Sequence, residues 1–156
     1  MLASGAGNPR QLISKSNYIY PFQWSTDGQI LMFGEVTSEN GADILFHFTD
    51  NSRPDLRLTP NRDAETLARF SPNTDFVCYT SRESGTLEVY VQPFPPTGEE
   101  RWMVSSGGGT EPVWSPTGDK IYYRNGTSWM EARIATKPDF PGYSYDITQT
   151  EKNFCC

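Results

Sequence analysis

The sequence predicts an all-β fold, a partial β-propeller of about three four-stranded antiparallel blades, on three observations. Three segments align without a gap from Trp24, Phe70 and Trp114, spacings of 46 and 44 residues, the length of one four-stranded blade. The 156 residues include 13 Gly, 12 Pro, 9 Phe, 8 Tyr and 4 Trp, and aromatics interleaved with turn formers suit short strands and tight corners. No segment competes as a helix: Asp63 to Arg69 has helical propensity but sits where the repeat demands a strand, and tertiary context overrides a weak local preference.

The elements follow in chain order. Residues 1–16 contain a short outer strand, Arg10 to Ser14, because Leu12 lies 12 residues before Trp24 just as Leu58 lies 12 before Phe70. Blade 1 spans 17–62, blade 2 63–107, blade 3 108–150, and 151–156 form a disordered tail. In each blade an aromatic-Ser pair ends the first strand, four residues rich in Asp, Asn, Pro or Gly make a hairpin (Thr26 to Gln29 in blade 1), and an apolar run opens the second strand. A second turn falls at Glu39-Asn40-Gly41, Glu83-Ser84-Gly85 and Asn125-Gly126, and third strands at Asp43 to Phe48, Thr86 to Gln92 and Trp129 to Ile134. In the middle one Leu87, Val89 and Val91 alternate with Glu88, Tyr90 and Gln92. Fourth strands are expected at Leu56 to Thr59 and Trp102 to Ser105.

The repeat carries a family resemblance. Pro112-Val113-Trp114-Ser115-Pro116-Thr117-Gly118 resembles the Pro-x-Trp-Ser-Pro-Asp-Gly pattern of the WD40-like repeat of bacterial proteins. Phe22-Gln23-Trp24-Ser25-Thr26-Asp27-Gly28 keeps the Trp-Ser and Asp-Gly, and Arg69-Phe70-Ser71-Pro72-Asn73-Thr74 diverges most. With Ser84 to Phe94 and Gly107 to Pro112, residues 9 to 135 resemble the C-terminal end of a TolB-like propeller. The resemblance implies a scaffold that often follows a kinase or other effector module and usually has six or seven blades, more than are present here. It is weak on function, because propellers host many activities.

Composition narrows the partners. A net charge of −6, with 13 unclustered basic residues, disfavours nucleic acid and an anionic membrane surface. No run approaches 18 apolar residues, and Met1 to Arg10 lacks a secretory apolar stretch, so the chain as written is expected in the cytoplasm, a periplasmic parent protein being compatible with the resemblance. Cys78 lies in an apolar strand and reads as a buried structural thiol; Cys155 and Cys156 form no disulfide framework with it.

No catalytic constellation stands out. The only histidine, His47, sits mid-strand opposite Ile44, Phe46 and Phe48 and reads as structural. The chain has no Gly-x-Ser-x-Gly elbow, no paired His/Cys spacing for zinc and no Asp-rich calcium loop, so no cofactor is expected. Gly107-Gly108-Gly109 lacks the Lys and helix of a phosphate cradle and reads as an inter-blade connection, and Asn125-Gly126-Thr127 as a turn. The candidate ligand-binding residues are those entering the first strands, which in a propeller rim one mouth of the central channel: Tyr18, Tyr20, Asp63, Glu65 and Glu111, with Arg69 beside them. Carboxylates and tyrosines there suit a cationic or hydroxylated ligand or a basic peptide.

Three blades in a row leave two faces open, and two copies would make six. The expectation is a homodimer in which Arg10 to Ser14 completes the partner's third blade, unless Tyr143 to Thr148 already supplies that fourth strand. The function read from the sequence is therefore a non-enzymatic module for protein, peptide or small-ligand recognition, acting through self-assembly. The alternatives are a lactonase- or lyase-like propeller whose site is completed at a dimer interface, or a structural remnant of a larger protein.

Overall fold

The computed structural model describes residues 7–39, 41–59, 64–97 and 100–134 and the backbone of 147–150. Among these, three four-stranded antiparallel sheets form. Blade 1 is β1 (Tyr18–Trp24), β2 (Ile30–Thr37), β3 (Gly41–Phe48) and β4 (Leu56–Arg57). Blade 2 is β5 (Glu65–Phe70), β6 (Phe76–Ser81), β7 (Glu88–Pro93) and β8 (Trp102–Met103). Blade 3 is β9 (Thr110–Trp114), β10 (Lys120–Asn125), β11 (Ser128–Ile134) and β12 (Ile147–Thr150). Strands follow sequence order across each sheet, and the first strands β1, β5 and β9 lie side by side.

The Ser of the repeat motif explains why each blade turns where it does. Ser25 Oγ donates to Asp27 Oδ1 at 2.6 Å and accepts the Ile30 N–H at 2.9 Å, tying the two ends of the first hairpin together. Ser71 does the same with Asn73 and the Phe76 N–H, and Ser115 with Asp119 and the Lys120 N–H. The turn needs a left-handed residue, supplied by Gly28 and Gly118; in the divergent second repeat Thr74 adopts φ 66° without being glycine.

Two elements depart from expectation. Arg10 to Ser14 is not a strand; it runs irregularly beside blade 1. The fourth position of blade 3 is filled by the chain's own β12, paired with β11 through Ile134↔Ile147 and Glu131↔Thr150, so no exchanged strand is needed there. The β4 and β8 ladders are shorter than predicted, although the Leu58 N–H still reaches Ile44 O at 2.9 Å and the Val104 N–H reaches Val89 O at 2.7 Å. Asp63, residues 143–146, Cys155 and Cys156 lie outside the described residues.

The cores sit between blades. On the front of blade 1, the face toward blade 2, Ile30, Met32, Ile44 and Phe46 meet Phe70, Val77, Tyr79 and Tyr90 on the back of blade 2. The front of blade 2 offers Phe76, Cys78, Val89 and Val91 to Trp114, Ile121, Tyr123 and Ala132 of blade 3. Both faces of the β6–β7 pair are therefore buried, as its near-continuous apolar pattern requires. Cys78 is fully buried, and burial pushes its thiol up, away from the reactive thiolate.

Candidate functional site

The first strands position the predicted mouth residues, and each carries an irregularity at the same repeat position. Pairing slips between Pro21 and Gln23 in β1, between Thr66 and Arg69 in β5, and opposite Tyr122 and Arg124 in β9. Leu67 and Glu111, three residues before the motif aromatic, take φ 56° and 58° there. A bulge of this kind re-aims the side chains that precede it, so alternation counted from the motif does not give the channel-facing set.

The described candidate residues sit in different surroundings. Tyr18 is 72% exposed and stacks on Tyr20 with ring centroids 6.0 Å apart. Tyr20 packs edge-on against Phe22, and its hydroxyl lies 3.4 Å from Thr66 Oγ1 on blade 2. Arg69 donates to Ala68 O at 2.7 Å, while its own carbonyl accepts the Trp114 indole N–H at 3.2 Å, which makes it a blade-to-blade connection. Glu111 is half-exposed and holds Arg124 Nε at 2.5 Å, an interaction that keeps its carboxyl below the usual range.

Glu65 does not face solvent: it is 1% exposed, wedged at the junction of blades 1 and 2. The Thr59 hydroxyl donates to Oε1, and Oε2 has no hydrogen-bond partner among the described residues. Burial pushes this carboxyl up to about 7, nearby Asp43 and Glu83 add to the shift, and Arg101 opposes it along with the Thr59 bond. Asp43 is itself buried with Arg57 Nη1 at 3.0 Å, and Arg101 Nε meets Glu83 at 2.8 Å.

The next junction solves the same problem differently. Ser105, the counterpart of Thr59 at the end of the fourth strand, donates to Glu88 Oε2, and Oε1 takes the Gly108 N–H at 2.8 Å and the Thr86 hydroxyl at 3.1 Å. Gly109 stands where blade 2 has Glu65, and a Cβ there would lie 2.3 Å from Ser105 Oγ. Within Gly107-Gly108-Gly109, the Gly108 N–H thus helps to satisfy a buried carboxylate inside the fold. The sequence reading missed Asp43, Glu88, Thr59 and Ser105; the hydroxyl after the apolar residue in Leu58-Thr59 and Val104-Ser105 was the available signal.

A second feature lies on the back of blade 1. A cavity of about 300 Å³ opens between Leu12 and Ile13 on one side and Ile19, Pro21, Leu31 and Phe33 on the other. The irregular segment bounding it is anchored at one end: Lys15 Nζ meets Asp55 Oδ2 at 2.6 Å, and Asn17 donates to Glu35 at 2.9 Å. His47 Nδ1 contacts the other oxygen of Asp55 at 2.9 Å, which places it in this anchor.

A structure from Agrobacterium tumefaciens assigned to TolB superposes on 94% of this chain and 54% of its own length, with TM-score 0.67 and 20% identity. The fold is that of a TolB-like β-propeller. A TolB structure from Acinetobacter baumannii matches over 90% of this chain and 34% of its own, with TM-score 0.59 and 20% identity. This TolB-like chain thus spans about half the length of the first and a third of the second. It matches no protein-family model and no curated protein sequence. No helix among the described residues is long and apolar enough to cross a membrane.

Proposed function

We propose that the chain is a non-enzymatic interaction module in which TolB-like blades present their end faces to protein or peptide partners. One observation carries this reading: the β6–β7 pair of blade 2 is covered on both faces by its neighbours, whereas the end blades each leave a tryptophan exposed, Trp24 on blade 1 and Trp129 on blade 3; the exposed apolar residues of blade 2, Leu87 and Met103, lie outside that pair. Exposed aromatics amid polar groups are the usual chemistry of a recognition surface. The rival reading, a lactonase- or lyase-like enzyme using carboxylates and a metal, finds no group of three or more His, Cys, Asp or Glu placed to hold an ion among the described residues.

The test is selection of a displayed random peptide library on the full chain. Selected peptides are expected to weaken about tenfold or more, roughly 1.4 kcal/mol, on Trp24→Ser or Trp129→Ser. Peptides indifferent to both substitutions would remove the end faces from the function.

A further inference from the structure

The front of blade 3, the face turned away from blade 2, differs in chemistry from the fronts of blades 1 and 2. Ile121 and Tyr123 point back into the junction with blade 2, so strand alternation turns Lys120, Tyr122 and Arg124 to the front. Register sets Arg133 opposite Lys120, Glu131 opposite Tyr122 and Trp129 opposite Arg124, with Val113 on the other side of Tyr122. Blade 2 carries Phe76, Cys78, Val89 and Val91 where blade 3 has Lys120, Tyr122, Trp129 and Glu131. On this face Trp129 is 54% and Val113 47% exposed.

The charges of the face do not cancel. Glu131 serves Lys120 at 3.3 Å, and Glu111 serves Arg124, whose Nη1 also donates to Gly126 O at 3.1 Å. Asp119, next along the chain, is held in its own hairpin by Ser115 and Thr117. Arg133 is exposed and has no acceptor among the described residues. It stands directly across from Lys120, and like charges opposed in this way cost stability unless an anion joins them. Lys120, Arg124 and Arg133 against Glu111 and Glu131 leave the face positive on a chain of net charge −6.

We propose that this face binds an acidic segment of a partner protein, laid along β10 as an extended peptide with carboxylates four residues apart and an apolar residue midway. Lys120 and Arg124 are four residues apart on one strand, about 13 Å at a rise of about 3.3 Å per residue, and an extended peptide spaces its first and fifth side chains alike. One carboxylate joins the Lys120–Arg133 row, where the guanidinium offers a two-pronged donor. The other meets the Nη2 side of Arg124, whose Nε and Nη1 are already engaged. The apolar residue between them sits over Tyr122 and Val113, beside Trp129. An apolar occupant would instead take Lys120 and the Arg133 guanidinium out of water with no new acceptor, which costs more than the contact returns. The proposal deepens the interaction-module reading and rests on it.

The test uses a displayed random peptide library selected on the full chain. Peptides whose binding depends on Trp129 should carry Asp or Glu at two positions four residues apart, and should weaken about tenfold or more on Arg133→Glu. That substitution should not lower the melting temperature, because it replaces a like-charge pair by an opposite one. Arg133→Gln should give a smaller loss of binding in the same direction. Lysine in place of one peptide carboxylate should restore binding to Arg133→Glu, and affinity for the unmodified chain should fall as salt rises. Trp129-dependent peptides that are neutral or basic, or that bind Arg133→Glu as well as the unmodified chain, overturn the proposal. So does self-association of the chain that Trp129→Ser abolishes, which would make a second copy the occupant. Peptides that depend on Trp24 alone leave the module reading standing while this face fails, and peptides indifferent to both tryptophans remove the two together.

Discussion

A Cβ placed on Gly34 would stand 2.4 Å from Cζ of Tyr20, so the tyrosine ring lies directly on the backbone of β2. The two residues face each other in the β1–β2 register, and glycine is the residue that lets a ring approach a neighbouring strand this closely. Tyr20, read from the sequence as a ligand residue, is in this position a rivet between the first two strands, with its hydroxyl directed at blade 2.

Gly34→Ala should therefore destabilise the chain by about 1–3 kcal/mol through overpacking. In a Tyr20→Leu background the cost should fall by more than half, because the flat ring that meets the new methyl is gone. Urea midpoints at unchanged slope measure both quantities.

Glu65 gives a pH dependence with a definite sign. Its folded-state carboxyl titrates at about 7 against an ordinary 4.5, so the folded protein holds a proton that the unfolded chain has released across that window. Stability relative to Glu65→Gln should be fully present below pH 4.5, decline as pH rises toward 7, and stay lower above it. A shift of this size corresponds to about 3 kcal/mol, so at pH 8 Glu65→Gln should be the more stable protein by up to that amount. A pH-independent difference between the two unfolding curves would show that Glu65 does not titrate in this range.

The hairpin staple makes a third expectation. Ser25→Ala removes the acceptor for the Ile30 N–H and the donor to Asp27, and should cost about 1–3 kcal/mol. The Ser25 bond is also the largest of the interactions that lower the Asp27 carboxyl. Its titration, followed by NMR, should move up toward the usual aspartate value in the variant, whereas the Asp119 titration in blade 3 should not change.

The fold was legible because the residues that spell the repeat also do its local work. Ser25, Ser71 and Ser115 close turns, Gly28 and Gly118 adopt the left-handed conformation those turns require, and the aromatics before Ser71 and Ser115 each fill a junction, so spacing and physics coincide. The mouth was not legible in the same way. Period-two alternation through β5 and β9 fails at Leu67 and Glu111, where the bulges lie, and nothing in composition distinguishes a Glu that faces the channel from one folded into a junction. Arg10 to Ser14 was read as a strand from its likeness to the segment around Leu58, but strand geometry needs a pairing partner that the sequence of one segment does not supply. His47, read from the sequence as structural, contacts Asp55 and through it Lys15, a set of residues too far apart in sequence to be paired by pattern alone.

Blade 2 is a party wall. Val77 and Tyr79 belong to one core and Phe76 and Cys78 to the other, so a single pair of strands, β6 and β7, divides the hydrophobic interior in two. Thermodynamically such an array behaves as a short chain of nearest-neighbour couplings. An outer blade can melt and release one interface while the other persists, but a lesion in the middle sheet releases both together. Disturbance at either end is thus met by a local loosening, and the integrity of the whole rests on its central six-residue strands.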